Sequence, residues 1–163
     1  MAIAKGAVSL LFELKTNTLI EGSICQLGRQ TILVSSDKIR SIAKEFGFQS
    51  QPATEKLPWT GNASDMFLFE TLGFDKVESI DADGFENSTY VLDFNQEVPQ
   101  EFHNRFDAIY DGGTIEHIFN LPQVLKNIHK MLKPGGLIMH LSPSHNHVDH
   151  GFFMFSPTLF YDY

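Results

Sequence analysis

Three aspartates recur at one kind of place in the chain. Asp81, Asp93 and Asp111 each follow a short run of strand-forming character: Lys76 to Ile80, Tyr90 to Leu92 and Phe106 to Tyr110. If those runs are parallel strands, the three carboxylates stand at their carboxyl ends, along the crevice where open α/β sheets bind ligands. The plainer account of each is that aspartate favours strand-to-loop turns and helix caps. A second group is Glu116-His117, joined by His150 from the tail. These three are the candidates for a proton acceptor, with histidine favoured because its ordinary pKa lies near working pH. The plainer accounts are a first-turn acid that suits a helix dipole and a histidine that closes the loop onto the next helix. A third group is Ser144-His145-Asn146-His147-Val148-Asp149-His150-Gly151, an H-x-H-x-D-H string. Imidazoles and a carboxylate at such spacing can ligate metal ions that activate water. Cys25 sits within an apolar run with no activating base beside it and reads as core.

The elements needed to position these groups are legible as alternating apolar runs and amphipathic stretches, the pattern of parallel strands joined by crossover helices. Ala4 to Lys15 predicts a helix. Ser23 to Leu27 predicts a strand ended by Gly28, and Thr31 to Val34 is a short β-branched run. Ser36 or Asp37 can cap a helix over 38–46, stopped by Gly47. Residues 48–60, with two prolines, read as a loop or lid. Ala63 to Leu72 predicts a second helix, then come the three strands that end at the aspartates. Leu121 to Leu132 predicts a helix with Pro122 in its first turn, where proline is tolerated. Lys133 to Gly136 reads as a turn, Leu137 to Leu141 as a fifth strand, and the last 22 residues as loop.

The 163 residues are 42% hydrophobic and 20% charged, a globular composition with enough chain for one core. The expectation is a single domain over 1–163, with an α/β core at 20–142 and a histidine- and aromatic-rich tail or lid at 143–163. The net charge is −8. An acidic chain without a basic cluster is a poor binder of nucleic acid. No apolar run reaches the length of a membrane span. The N-terminus does not read as a signal peptide. One cysteine excludes an internal disulfide framework and fits a reducing, cytoplasmic setting.

Two segments carry a family resemblance. The first is Phe106-Asp107-Ala108-Ile109-Tyr110-Asp111-Gly112-Gly113-Thr114-Ile115-Glu116-His117. The second runs from Val124-Leu125 through Leu132-Lys133-Pro134-Gly135-Gly136-Leu137-Ile138. Together they resemble the fourth- and fifth-strand motifs of class I S-adenosylmethionine-dependent methyltransferases: an FD-x-[IV] strand, an EH turn, then a helix ending in LKPGG before a strand. The resemblance implies a Rossmann-like, mostly parallel sheet with helices on both faces, and S-adenosylmethionine as cofactor. Asp81 resembles the acid that takes the ribose hydroxyls, a task suited to a carboxylate because it accepts two hydrogen bonds. Asp93 resembles the third-strand residue that meets the adenine amino group. Asp111 and Gly112 resemble the fourth-strand tip beside the methyl-transfer centre, where Gly113 lets backbone approach closely.

The sequence departs from the family in its first loop. Gln26-Leu27-Gly28-Arg29-Gln30 keeps one glycine, Gly28, of a glycine-rich motif and has glutamine where an acid is expected. The chain also holds five of the fold's seven strands, so the expectation is that the last strands are missing and that a second copy can cover the exposed sheet edge. The histidine string matches the zinc motif of metallo-β-lactamase-fold hydrolases. That fold places the motif early and needs further ligands downstream, and only thirteen residues follow His150. In the methyltransferase frame the tail instead covers the acceptor pocket, with Gly151 to Pro157 as an aromatic lid. The chain also resembles methyltransferase-like proteins of glycan biosynthesis in DGGT-x-EH and HGF-x-x-FSP. Phe152, Phe153, Phe155 and Phe160 have a plainer account as core. Three functions follow as expectations: methyl transfer to a small-molecule or glycan-type acceptor, a non-catalytic methyltransferase-like binding domain, and a metal-dependent hydrolase.

Overall fold

Near-continuous apolar runs with bulk on both sides demand cover on both faces of a sheet, and the computed structural model supplies it. It describes residues 2–18, 21–49, 61–145 and 147–162. The elements are β1 (Ala2–Ile3), α1 (Lys5–Asn17), β2 (Gly22–Leu27), β3 (Thr31–Ile32), α2 (Ser36–Glu45), α3 (Asp65–Thr71), β4 (Phe74–Asp81), β5 (Tyr90–Val91), β6 (Phe106–Asp111), α4 (Leu121–Met131), β7 (Leu132–His140) and α5 (Pro157–Asp162), with 3₁₀ turns at 100–102 and 115–117. Five strands form one sheet in the order β5-β4-β2-β6-β7, and every pairing is parallel. Counted along the chain, that order is 3-2-1-4-5, the doubly wound arrangement. Its direction of winding reverses between β2 and β6. β1 and β3 make a separate parallel pair.

On one face, Ile24 of β2 and Ala108 and Tyr110 of β6 pack with Val8, Leu11 and Phe12 of α1, Ile39 and Ile42 of α2 and Phe67 and Leu68 of α3. On the other, Cys25, Leu27 and Ile109 pack with Val124, Ile128 and Met131 of α4, closed by Phe94, Phe102 and Phe155. The α/β fold with helices on both faces is therefore as expected. Cys25 is fully buried, and burial foremost pushes its thiol up, so it is an inert core residue. Among the described residues, no helix is long and apolar enough to cross a membrane.

Several local expectations need correction. Ser35, not Ser36 or Asp37, caps α2: its Oγ accepts from Lys38 N at 3.3 Å. Ser64 caps α3 in the same way, accepting from Phe67 N at 3.0 Å. Each such cap contributes about 1 kcal/mol. Lys133 to Gly136 is not a turn between elements. It lies inside β7 as a bulge, because Leu132 faces Phe106 while Leu137 already faces Ala108. Pro134 is tolerated there because β7 is an edge strand. Lys133 Nζ reaches Asp107 at 2.8 Å, and Ser23 donates both its N–H and its hydroxyl to the same carboxylate. Burial raises the Asp107 pKa, but these donors outweigh it and bring it to about 2. The tail is not all loop, since Pro157–Asp162 is helical. Of the expected lid over 48–60, residues 50–60 lie outside the described residues.

Candidate functional site

The carboxyl ends of β2, β4, β5 and β6 meet on one edge of the sheet. Thr114 donates its hydroxyl to Leu27 O, tying the tip of β6 to that of β2. Gly28 N donates to Ile80 O at 2.7 Å, tying β2 to β4. Leu92 N donates to Asp81 O at 2.9 Å, tying β4 to β5. Between these tips lies a cavity of about 330 Å³ lined by Asp81, Asp93, Phe94, Thr114, His117 and Ile118. Asp81 and Asp93, more than ten residues apart in sequence, thus face one space.

The expected site residues differ sharply in how they are held. The Asp81 carboxylate accepts from Ala82 N at 2.7 Å and Arg29 N at 3.3 Å, which orients it at the cavity wall. Asp93 accepts from Asn95 N at 2.9 Å and Asn95 Nδ2 at 2.8 Å; those donors, the backbone one first, hold its carboxyl below the usual range. Asp111 has no exposed surface, and the chain uses both its oxygens. One takes Thr114 N at 2.9 Å and Ile115 N at 3.4 Å; the other meets His140 Nδ1 at 2.8 Å and Ser142 Oγ at 3.2 Å. What Asp111 and Gly112 offer a ligand is therefore backbone rather than carboxylate.

Gly28 and Gly113 both lie in the left-handed region, at φ 67° and 98°. Gly112 is fixed by packing instead. A Cβ there would stand 2.5 Å from Gln30 Oε1 and 2.6 Å from Tyr110 Cε1. Sequence reasoning missed this partnership, and it also missed the network behind it. Gln30 Nε2 donates to the carbonyls of Leu27 and Gly28, and Gln30 N donates to Gln26 Oε1. Gln26 Nε2 in turn donates to Asp65 at 2.9 Å, and Arg29 forks onto Asp65 at 3.2 and 3.3 Å. A polar loop after β2 is thereby ordered by side chains where glycines would order it by backbone freedom. Gln30 Oε1 itself is buried and has no hydrogen-bond partner among the described residues.

Beside the cavity stands a cluster that local sequence could not assemble. Glu116 lies in the 3₁₀ turn after β6 and is fully buried. The tail crosses it: Phe152 N and Phe153 N donate to Glu116 O at 2.8 and 3.2 Å. Gly151 passes so close that a Cβ would meet Glu116 O at 2.8 Å. This crossing delivers His150, whose Nε2 lies 3.5 Å from Glu116 Oε1; His117 Nε2 lies 3.9 Å from the same atom. The two imidazoles stand with centroids 4.9 Å apart. Burial, ahead of the neighbouring Asp111, raises the Glu116 pKa against the opposing pull of the residue's own N–H and of His150. Burial and then the facing His150 lower the His117 pKa, which favours its free-base form. All three proposed proton-handling residues come together. His147 meets His150 edge to face at 5.4 Å, whereas the contact found for His145 is Ser144. The tail aromatics divide: Phe155 is core, while Phe152 is 65% exposed and meets Phe119, itself 74% exposed, edge to face at 5.8 Å.

Residues 72–138 match the family model of a methyltransferase domain. The matched segment runs from the end of α3 into β7 and includes Asp81, Asp93, Asp111 and Glu116. It bears out, over those residues, the resemblance to class I S-adenosylmethionine-dependent methyltransferases. No curated protein matches the chain. Among solved structures, the trans-methyltransferase CalH complexed with SAH is similar at a TM-score of 0.44 and 18% identity, over 87% of this chain and 37% of that one. The chain therefore spans well under half the length of that structure.

Proposed function

Taking residues 72–138 as a methyltransferase domain, we propose that the chain binds S-adenosylmethionine at the carboxyl edge of its sheet and transfers the methyl group to a small-molecule or glycan-type acceptor. One observation carries the reading: Asp81 and Asp93 share a cavity beside the reversal of a doubly wound sheet. The residues present fit the cofactor. Asp81 accepts the ribose hydroxyls, Asp93 meets the adenine amino group, and Gly28, Gly112 and Gly113 bring backbone close to the remainder. Gln30 Oε1, a buried acceptor without a partner, suits an ammonium donor.

Bound S-adenosylmethionine supplies a methyl group on a sulfonium, open to in-line displacement. The work left to the chain is to position both reactants and to take the acceptor's proton. His117 lines the cavity, and its lowered pKa favours the free base, so it is the residue to receive that proton, with His150 and Glu116 beside it. The exposed pair Phe119 and Phe152 offers aromatic faces against which a sugar or other ring can lie. The net charge of −8 argues against a nucleic-acid acceptor. The ordered polar loop after β2 supports a second reading, a methyltransferase-like domain that binds without turnover. Among the described residues, the histidine string does not gather into the two-metal set a hydrolase of the metallo-β-lactamase type needs. Along β7, a second copy of the chain is the proposed cover for the sheet edge, and a reducing compartment is the proposed setting.

Calorimetric titration with S-adenosylmethionine and S-adenosylhomocysteine tests the reading. Micromolar binding is expected, weakened roughly 10- to 100-fold by Asp81→Ala, the worth of a charged hydrogen-bond acceptor. A folded chain that binds neither compound overturns it.

A further inference from the structure

Glu116, His117 and His150 each offer one ligand atom, and the three atoms lie within 4.8 Å of one another. The geometry points to a binding site here for a divalent transition-metal ion, of which zinc is the type. A tetrahedral zinc site with bonds of about 2.0–2.1 Å places neighbouring ligand atoms roughly 3.3–3.5 Å apart. The observed separations from Glu116 Oε1 are 3.5 Å to His150 and 3.9 Å to His117. Both imidazoles are on side chains exposed by 44% and 43%, free to rotate the small distance that remains.

Independent support comes from Glu116. Its side chain has no exposed surface, and neither carboxylate oxygen has a hydrogen-bond partner among the described residues. Buried carboxylates are ordinarily paired, hydrogen-bonded or bound to metal. This one has two imidazole nitrogens nearby, at 3.5 and 3.9 Å from one of its oxygens. The fold goes to some length to bring that about. Gly151 must be a glycine for the tail to press on Glu116 O, and two backbone N–H groups clamp it there. Residue types also fit: two imidazoles and one carboxylate with a position left for water or a substrate oxygen is a pattern of reactive zinc sites. The site differs from the H-x-H-x-D-H string, since only His150 of that string contributes.

The site goes beyond the methyl-transfer reading and does not depend on it. If both hold, ligation occupies the imidazole lone pairs, so His117 would no longer receive the proton; a metal-bound acceptor hydroxyl would instead have a lowered pKa and release its proton to solvent water. His117 lines the cofactor cavity as well, which sets the ion at the cavity wall.

The test is titration of the metal-free chain with Zn²⁺, and with Co²⁺ followed by visible absorption, in the absence of any cofactor. One equivalent is expected to bind, with cobalt showing the intense bands of low coordination number. Losing a group that merely hydrogen-bonds to a ligand already costs metal sites about 10- to 100-fold, so loss of a direct ligand in His117→Ala or His150→Ala should cost about 100-fold or more. Both positions are half exposed, so the variants should fold, and circular dichroism checks it. His145→Ala should bind as the parent does. Binding that survives His117→Ala but is lost with His145→Ala would assign the metal to the tail alone and overturn the proposal. So would a chain that binds neither ion. Because no cofactor is present, failure here leaves the S-adenosylmethionine titration intact, and the reverse.

Discussion

Asp111 and Glu116 lie five residues apart on one loop, both without exposed surface, and their surroundings are opposite. Asp111 has two backbone N–H groups, an imidazole and a hydroxyl within hydrogen-bond reach. Glu116 has no such set among the described residues: its own N–H and the imidazoles of His150 and His117, at 3.5 and 3.9 Å, approach without making a well-formed hydrogen bond. Burial of a carboxylate costs several kcal/mol unless it is compensated. For Asp111 the compensation is internal and complete, which makes it part of the scaffold that shapes the tip of β6. For Glu116 no such set stands among the described residues, which is why it is the carboxylate proposed to meet a metal ion. A conspicuous acid at a strand end can thus be architecture, while a less conspicuous one beside it is the one proposed to carry chemistry.

The contrast can be broken most forcefully at Asp111. Asp111→Ala strands four donors and should cost about 3 kcal/mol, a fall in Tm of roughly 6–12 °C for a chain of this size. A fall of a degree or two in thermal unfolding would show that the scaffold role is wrong. Next comes the tail crossing. Gly151→Ala forces a Cβ to within 2.8 Å of Glu116 O and should cost about 1–2 kcal/mol. It should also weaken zinc binding by withdrawing His150, while S-adenosylmethionine affinity changes less.

A subtler test uses pH. The folded state raises the Glu116 pKa, chiefly through burial. The folded chain therefore holds a proton that the unfolded chain releases above about pH 4.3. Stability from this group is present below that value and is lost as pH rises toward the raised folded value. Metal-free Glu116→Gln should match the parent near pH 4 and gain on it as pH rises. Saturating zinc should reverse the order. Equal pH slopes for the two proteins would remove the contrast between Glu116 and Asp111. The smallest effect is expected at Asp93, which is exposed and held by its near neighbour Asn95. Asp93→Ala should leave Tm where it is and weaken S-adenosylmethionine less than Asp81→Ala does, as calorimetry can measure.

Much of this was open to reading from sequence because it is local. Apolar runs ending in Asp81, Asp93 and Asp111 became β4, β5 with its following residues, and β6, since side-chain alternation and turn chemistry act over a few residues. Errors arose where a local signal met a tertiary demand. Lys133 to Gly136 has turn composition, yet the pairing of β6 with β7 and the reach of Lys133 to Asp107 draw it into a strand as a bulge. Ser36 is a good cap by type, but its burial in the core passes that role to Ser35. The loop after β2 looked merely degenerate. Its order comes from Gln26, Gln30, Arg29 and Asp65, with Asp65 some 36 residues from Arg29.

Residue type and spacing by themselves determined the strands, their covering on two faces and the carboxylates at their ends. They also singled out Glu116, His117 and His150 as reactive types. Only the tertiary structure decided which acids are spent and which are not. That depends on what approaches each carboxylate from distant parts of the chain: His140 and Ser142 for Asp111, the tail backbone and His150 for Glu116. Hydrogen bonds and desolvation act through space, over a few ångströms, and the sequence distance between their partners does not enter.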